Sequence, residues 1–306
     1  MNRTPDLQAT NISLAYSVDA DDAFMFHALA GGQVAAPGLT FTHRRADTAE
    51  LNRIALAASA DVVAISAGLY PKVADRYLLL PHGASVGRGF GPVVVAPTVI
   101  PPAGLAGRRV GIPGLTTTAW MVLKLIEPRA IPVEIPIVPF GRIFEALAAG
   151  EVDAALLIHE GRLIYPQRGL SLVVDLGVWW QEHVGLPLPL GVNVIRRGLG
   201  TERIAQVSEL LRQSIRWAIS HREQLIAALA AEDRGDPALS NPALIDHYLS
   251  LYANADTAEM PQDARLGVEA LFKRAAGSAL SSAGASGVGQ QASQPLTQPL
   301  TIDWAP

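Results

Sequence analysis

The chain has 306 residues, 49% of them hydrophobic and 17% charged, with a net charge of −4 and no cysteine. That length suits two lobes of ordinary size, and the composition is that of a folded rather than a disordered chain. Disulfides, thiolate nucleophiles and cysteine metal sites are excluded, no basic cluster points to nucleic acid, and no apolar run reaches the roughly 18 residues of a membrane span.

The first ten residues lack an apolar stretch of signal-peptide length, so the expected location is the cytoplasm. Ile12–Tyr16 reads as a first strand, and a helix follows from about Asp22 to Leu29, stopped by Gly31-Gly32. Asp61–Ser66 is a second strand ending on a small polar residue. Arg109–Pro113 is a third, leading through Gly114 and three threonines into a helix that begins at Ala119. Ile143–Ala149 is a short helix halted by Gly150, and it feeds Ala154–Ile158, an apolar run that stops on His159 and Glu160. Such a run between charges reads as a strand buried on both faces. Leu172–Leu176 is another strand, followed by Trp179 and Trp180. In 201–221, Ile204, Val207, Leu211, Ile215 and Ala218 recur at helical spacing, and further helices fit Pro242–Tyr252 and Asp263–Ala276.

Strands alternating with helices predict an α/β fold with parallel sheets. Prolines concentrate in 92–102 and again in 185–192, where they suit extended crossings between lobes. Two crossings imply a discontinuous large lobe, 1–97 plus 193–276, a small lobe, 98–192, and a ligand cleft between them. Residues 277–306 read as a Ser/Ala/Gly/Gln-rich flexible tail whose Ile302 and Trp304 are suited to docking back on the body.

Ligands of open α/β sheets bind past the carboxyl ends of strands, where His159 falls. An imidazole there either accepts a proton near neutral pH or simply hydrogen-bonds a neighbouring loop. Thr116, Thr117 and Thr118 at a helix start serve as caps or as a carboxylate site, and Ser66 holds the equivalent place after its own strand. Asp19, Asp21 and Asp22 read first as helix-start charges and otherwise as partners for substrate hydroxyls. The stretch lacks the glycine and distal glutamate of a calcium loop, so no metal is expected. Gly87–Pro92 has neither the context nor the spacing of a dinucleotide site, and Arg88 in it is an anion-binding candidate. One of the two tryptophans could line an aromatic pocket.

The segment from Gly150 to Gly200 carries Gly-Glu-Val-Asp-Ala-Ala-Leu-Leu-Ile-His-Glu, Tyr165-Pro166, Val174–Trp180 and Gly-Leu-Pro-Leu-Pro-Leu-Gly. It resembles the 1,4-dihydroxy-6-naphthoate synthases, with a likeness running from about Leu14 to Ala276. The resemblance implies a two-lobed type II periplasmic-binding-protein-like fold. It also implies a lyase of the futalosine route to menaquinone, acting on cyclic dehypoxanthine futalosine without metal or redox cofactor. On the same resemblance His159 is the proton acceptor, and Ser66, Thr117, Thr118, Asp22 and Arg88 are substrate-binding residues for a small carboxylate. The first loop departs from the family's Ser-Pro-Cys-Pro-Asn-Asp-Thr-Phe, reading Ser17-Val-Asp-Ala-Asp-Asp-Ala-Phe24, and Ala64 replaces an expected lysine. Asp21, Ala23 and Ala64 thus bear on substrate choice. The alternatives are chorismate dehydratase, which the His159-Glu160 and Leu-Pro-Leu-Pro-Leu-Gly segments oppose, and a non-catalytic carboxylate-binding protein of the same fold, which the altered first loop keeps open. Oligomeric state is not legible in the sequence.

Overall fold

The alternating pattern resolves, in a computed structural model that describes residues 10–283 and 302–306, into two mixed sheets. The first has the order β2 (Leu39–Ala46), β1 (Thr10–Ser17), β3 (Val62–Ser66), β11 (Leu188–Arg196), β4 (Tyr77–Leu79), with β5 (Ser85–Gly87) also pairing β11. The second has the order β10 (Ser171–Asp175), β6 (Val93–Ala96), β9 (Ala154–Leu157), β7 (Arg109–Ile112), β8 (Ile131–Glu134). In each, the strands joined by crossover helices run parallel and the returning strands antiparallel: β1 is parallel to β2 and β3, and β7 to β8 and β9. β11 is antiparallel to β3, and β6 to β9.

β3, β6 and β9 are buried at every position, as apolar runs flanked on both faces must be. Helices α1 (Ala20–Ala30), α2 (Thr48–Leu56), α3 (Thr118–Ile126), α4 (Arg142–Ala148) and the four-residue α5 (Gly161–Ile164) connect the early strands. α6 (Leu176–Val184) precedes β11. α7 (Thr201–Ser220), α8 (Arg222–Ala230), α9 (Pro242–Tyr252), the short α10 (Ala255–Ala258) and α11 (Gln262–Ala283) follow it. All five apolar positions read in α7 are buried. The largest core cluster contains Val63 and Val194 of the first sheet together with Val94, Val110 and Leu156 of the second, so the two layers share packing.

The chain changes sheets earlier than expected. The first exchange falls between β5 and β6, ahead of 97/98, and the second between α6 and β11, ahead of 192/193. The prolines explain the offset: Pro92 and Pro97 flank β6, where a missing N–H costs no ladder bond, and Pro189 sits at a register shift between β11 and β5. The tail expectation also needs correction, because α11 carries on through 277–283; residues 284–301 of the expected flexible stretch lie outside the described residues. The last residues do return: Leu79 donates to Asp303 O at 3.0 Å and Ala305 to Leu79 O at 2.8 Å, which adds a short bridge to the outer edge of β4. Among the described residues no helix is long and apolar enough to cross a membrane.

Candidate active site

The carboxyl ends of β1 and β3 face those of β7 and β9, and between them lies a cleft of about 750 Å³ including its open mouth. Ser17, Asp21, Ser66, Thr118, His159 and Arg162 are among its walls. Strand order reverses in each sheet at these ends, which is where an α/β crevice opens.

His159 is the second residue past β9 and has φ +52°, a left-handed conformation uncommon outside glycine. From the second sheet's side it reaches two groups on the first: Nδ1 pairs with Asp19 and Nε2 lies 3.1 Å from Thr48 Oγ1. Asp19 occupies the N-cap position of α1 yet makes no cap hydrogen bond, because its carboxylate is turned to the imidazole. Burial disfavours the imidazolium, but the charge and hydrogen bond of Asp19 outweigh it and hold His159 at about 9. Asp19 is buried too, and the same pairing keeps its carboxyl below the ordinary range.

The neighbouring carboxyls behave differently. Asp21 accepts from Ser85 Oγ at 2.6 Å and Tyr248 OH at 3.1 Å, and burial, then the charges of Asp19 and Asp22, push it well above the usual carboxylate range. Asp22 accepts the Ser17 N–H at 2.7 Å; burial and the charge of Asp19 raise it to about 7. The cleft therefore places Asp21, whose protonated form burial favours, beside a charged Asp19–His159 pair. Donor atoms of Asp19, Asp21 and His159 lie within 4.8 Å of one another. Asp19 and His159 hold each other, and both Asp21 oxygens have protein partners.

On the opposite wall, Asn52 of α2 is fully buried and organises the strand ends. Its Nδ2 donates to Ser66 Oγ at 3.1 Å and Thr116 Oγ1 at 2.9 Å, and its Oδ1 accepts the Ser66 N–H at 3.0 Å. Thr117 caps α3, accepting from Trp120 N, and gives its own proton to Gly114 O at 2.8 Å. Thr118 donates to Leu190 O at 2.8 Å and accepts from Gly68 N at 3.0 Å, tying α3 to β11 and to the turn that follows β3. Both threonine protons are therefore committed to backbone. What this corner presents to the cleft is the start of α3, whose first N–H groups have no intrahelical acceptor, together with the Ser66 hydroxyl.

Arg88 stands elsewhere. It binds Asp256 at 2.6 Å and Asp263 at 2.7 Å and does not line the cleft, since the glycine-rich loop turns it towards α10 and α11. The guanidinium in the wall is Arg162, held by Tyr252 OH at 3.2 Å and Asp175 at 3.1 Å, with its face over Phe90. The aromatic lining is Tyr248 and Tyr252; Trp180 is buried in the core and Trp179 stacks on His183. Of the altered positions, Asp21 and Ala64 line the cleft, whereas Ala23 packs in a helical core with Phe24 and Tyr252. Sequence reading missed Asn52, Arg162, Thr48 and the pairing role of Asp19. Asn52 left one signal, a polar residue between Leu51 and Ile54 on the apolar face of α2.

Residues 12–277 match a family model described as menaquinone biosynthesis. Two curated 1,4-dihydroxy-6-naphtoate synthases are similar to the chain. That of Thermus thermophilus is 38% identical over 86% of this chain and 93% of its own length. That of Streptomyces coelicolor is 35% identical over 90% and 96%. A solved protein from Archaeoglobus fulgidus superposes with a TM-score of 0.77 at 40% identity, covering 88% of this chain and 98% of that one. An alkanesulfonate-binding protein from Xanthomonas axonopodis, bound to MOPS, superposes at 0.64 over 90% and 92% with 16% identity, a likeness of fold alone.

Proposed function

Because the chain belongs to the menaquinone biosynthesis family and is an enzyme of that route, we propose that it is a carbon–carbon lyase forming 1,4-dihydroxy-6-naphthoate from cyclic dehypoxanthine futalosine, with His159 as the proton acceptor. The observation that carries this reading is the placement of His159 on the cleft wall, its Nδ1 fixed by Asp19 and its Nε2 turned to Thr48. A partner on one ring nitrogen sets the tautomer and leaves the other to take the proton. Proton removal lets the bond to the sugar-derived part of the substrate break, and the remaining ring system becomes aromatic as that fragment leaves.

The aromatic carboxylate is proposed to rest against the N–H groups that open α3 and the hydroxyl of Ser66, with Arg162 supplying the nearby cation. Thr117 and Thr118 would act through backbone and through the shape of the turn. Asp22, holding Ser17, would fix the first loop. Two lobes meeting at the cleft, a small carboxylate as substrate and a cytoplasmic location belong to the same reading, with closure between the lobes keeping water from the reacting centre.

The test is turnover of cyclic dehypoxanthine futalosine by the purified protein, with His159→Ala beside it. The expected result is naphthoate product from the wild type and a loss of at least about a hundredfold in the variant. A folded wild type that yields no product would overturn the assignment.

A further inference from the structure

A second cavity, of about 1080 Å³ including its mouth, adjoins the cleft and shares only two lining residues with it, Asp19 and His159. The ion pair is therefore a wall between two chambers, and the imidazole stands at the junction. Beyond that wall the lining changes character. Val138, Pro139 and Phe140 make an apolar side, while Arg45, Glu232 and Arg234 make a polar one.

The cations of this chamber are paired. Arg45 binds Glu232 at 2.9 Å and Val18 O at 3.0 Å, and the almost fully buried Arg234 pairs with the equally buried Glu160. Asp233 adds a carboxylate that accepts the Gly235 N–H at 3.0 Å, so the lining opposes an anionic ligand, and its paired cations leave no free positive charge for one. Two polar atoms are nevertheless left over. Among the described residues, neither Arg234 Nε, a donor, nor Asp19 Oδ1, an acceptor, has a hydrogen-bond partner, although both are buried. Orphaned buried groups of this kind carry a penalty that a suitable ligand removes. One unmatched donor and one unmatched acceptor on lining residues, beside an apolar side, suit a hydroxyl-bearing, uncharged molecule: each hydroxyl both gives and accepts, and the carbon skeleton can lie on Phe140.

We propose that this chamber is the subsite for the neutral, polyhydroxylated part of the substrate, so that the aromatic carboxylate fills the first cleft and the scissile bond crosses beside His159. The inference rests on the lyase reading, since it assigns the second half of that substrate. It makes Arg234 a binding residue for the departing fragment and gives that fragment an exit distinct from that of the aromatic product.

Two variants test it with the intact protein. Arg234→Gln removes the orphan donor while its amide can still serve Glu160; Val138→Trp, at a half-exposed position on the rim, narrows the chamber without touching any ion pair. Both should raise KM for the cyclic substrate by about tenfold, the worth of one charged hydrogen bond, while binding of 1,4-dihydroxy-6-naphthoate stays within twofold of wild type. An equal loss of naphthoate binding in both variants, or an unchanged KM in both, would overturn the subsite. Should the wild type fail to turn over the cyclic substrate, the lyase reading falls by itself, and the chamber is then tested with D-ribose. Millimolar D-ribose should shift the His159 imidazole resonances in wild type and leave those of Val138→Trp unmoved. No shift in wild type, or the same shift in both, would reject it.

Discussion

At residue scale the first loop and His159 explain each other. Three aspartates close together at the buried start of α1 repel, and the protein resolves this by giving each a separate partner: Asp19 pairs with His159, Asp21 is held by Ser85 and Tyr248 with its carboxyl pushed upward by burial, and Asp22 is held by Ser17. With His159 at about 9, the free enzyme is mostly imidazolium at neutral pH, so kcat/KM should climb through the alkaline range with a midpoint near 9. Asp19→Asn removes the charge that sustains the imidazolium and leaves burial unopposed; the midpoint should move clearly below 9, and a pH–rate profile measures it. Asn52→Ala strands Ser66 and Thr116 at once, with an expected loss of about 1–3 kcal/mol in urea unfolding and a raised KM. His159 and Ser66 were legible as strand-end residues because their strands are short apolar runs with sharp stops. Arg162 and Asn52 were not, since their roles depend on Tyr252, Asp175 and Thr116, all distant in sequence.

At element scale, strands and helices followed their patterns closely, whereas sheet membership did not. The run Val93–Ala96 between prolines reads equally well as hinge or strand, and only pairing with β9 and β10 makes it an interior strand of the second sheet. Ser/Ala/Gly composition likewise hid the seven further helical residues of α11. The C-terminal segment has a structural task. β4 ends the first sheet, and an open edge is a pairing hazard; residues 302–306 cover it, Asp303 binds Arg197 at 2.6 Å and Trp304 lies beneath Arg265. Trp304→Ala should lower unfolding free energy by on the order of 1–2 kcal/mol, measured by denaturant titration, with KM unchanged because the segment does not line the cleft.

At the scale of the whole molecule, the charged groups that bridge the two sheets tie stability to pH. The unfolded His159 titrates near 6.5 and the folded one near 9, so its contribution is complete below 6.5 and drains away as pH rises through 9. Asp21 and Asp22, raised by burial, act in the same direction. Urea midpoints should therefore fall between pH 6.5 and 9.5, and His159→Ala should flatten that fall. Glu160 is the second bridge, accepting the Ala20 N–H at 3.2 Å while pairing with Arg234. Glu160→Ala leaves Arg234 buried without its partner and should cost about 3–5 kcal/mol by the same titration.

The sequence by itself determined the element types, the two-sheet α/β class and the likeness to an enzyme family, because hydrophobic periodicity and strand-end residues are local quantities. It also carried His159 to the mouth of a crevice. Tertiary structure alone decided that Asp19 faces His159 instead of capping α1, that Arg88 is spent on Asp256 and Asp263 while Arg162 enters the cleft, and that a second chamber lies behind the imidazole. The physical reason is range. A backbone pattern is set by neighbours a few residues away, whereas the charge state of a buried group and the direction of a long side chain are set by whichever groups the fold brings within a few ångströms.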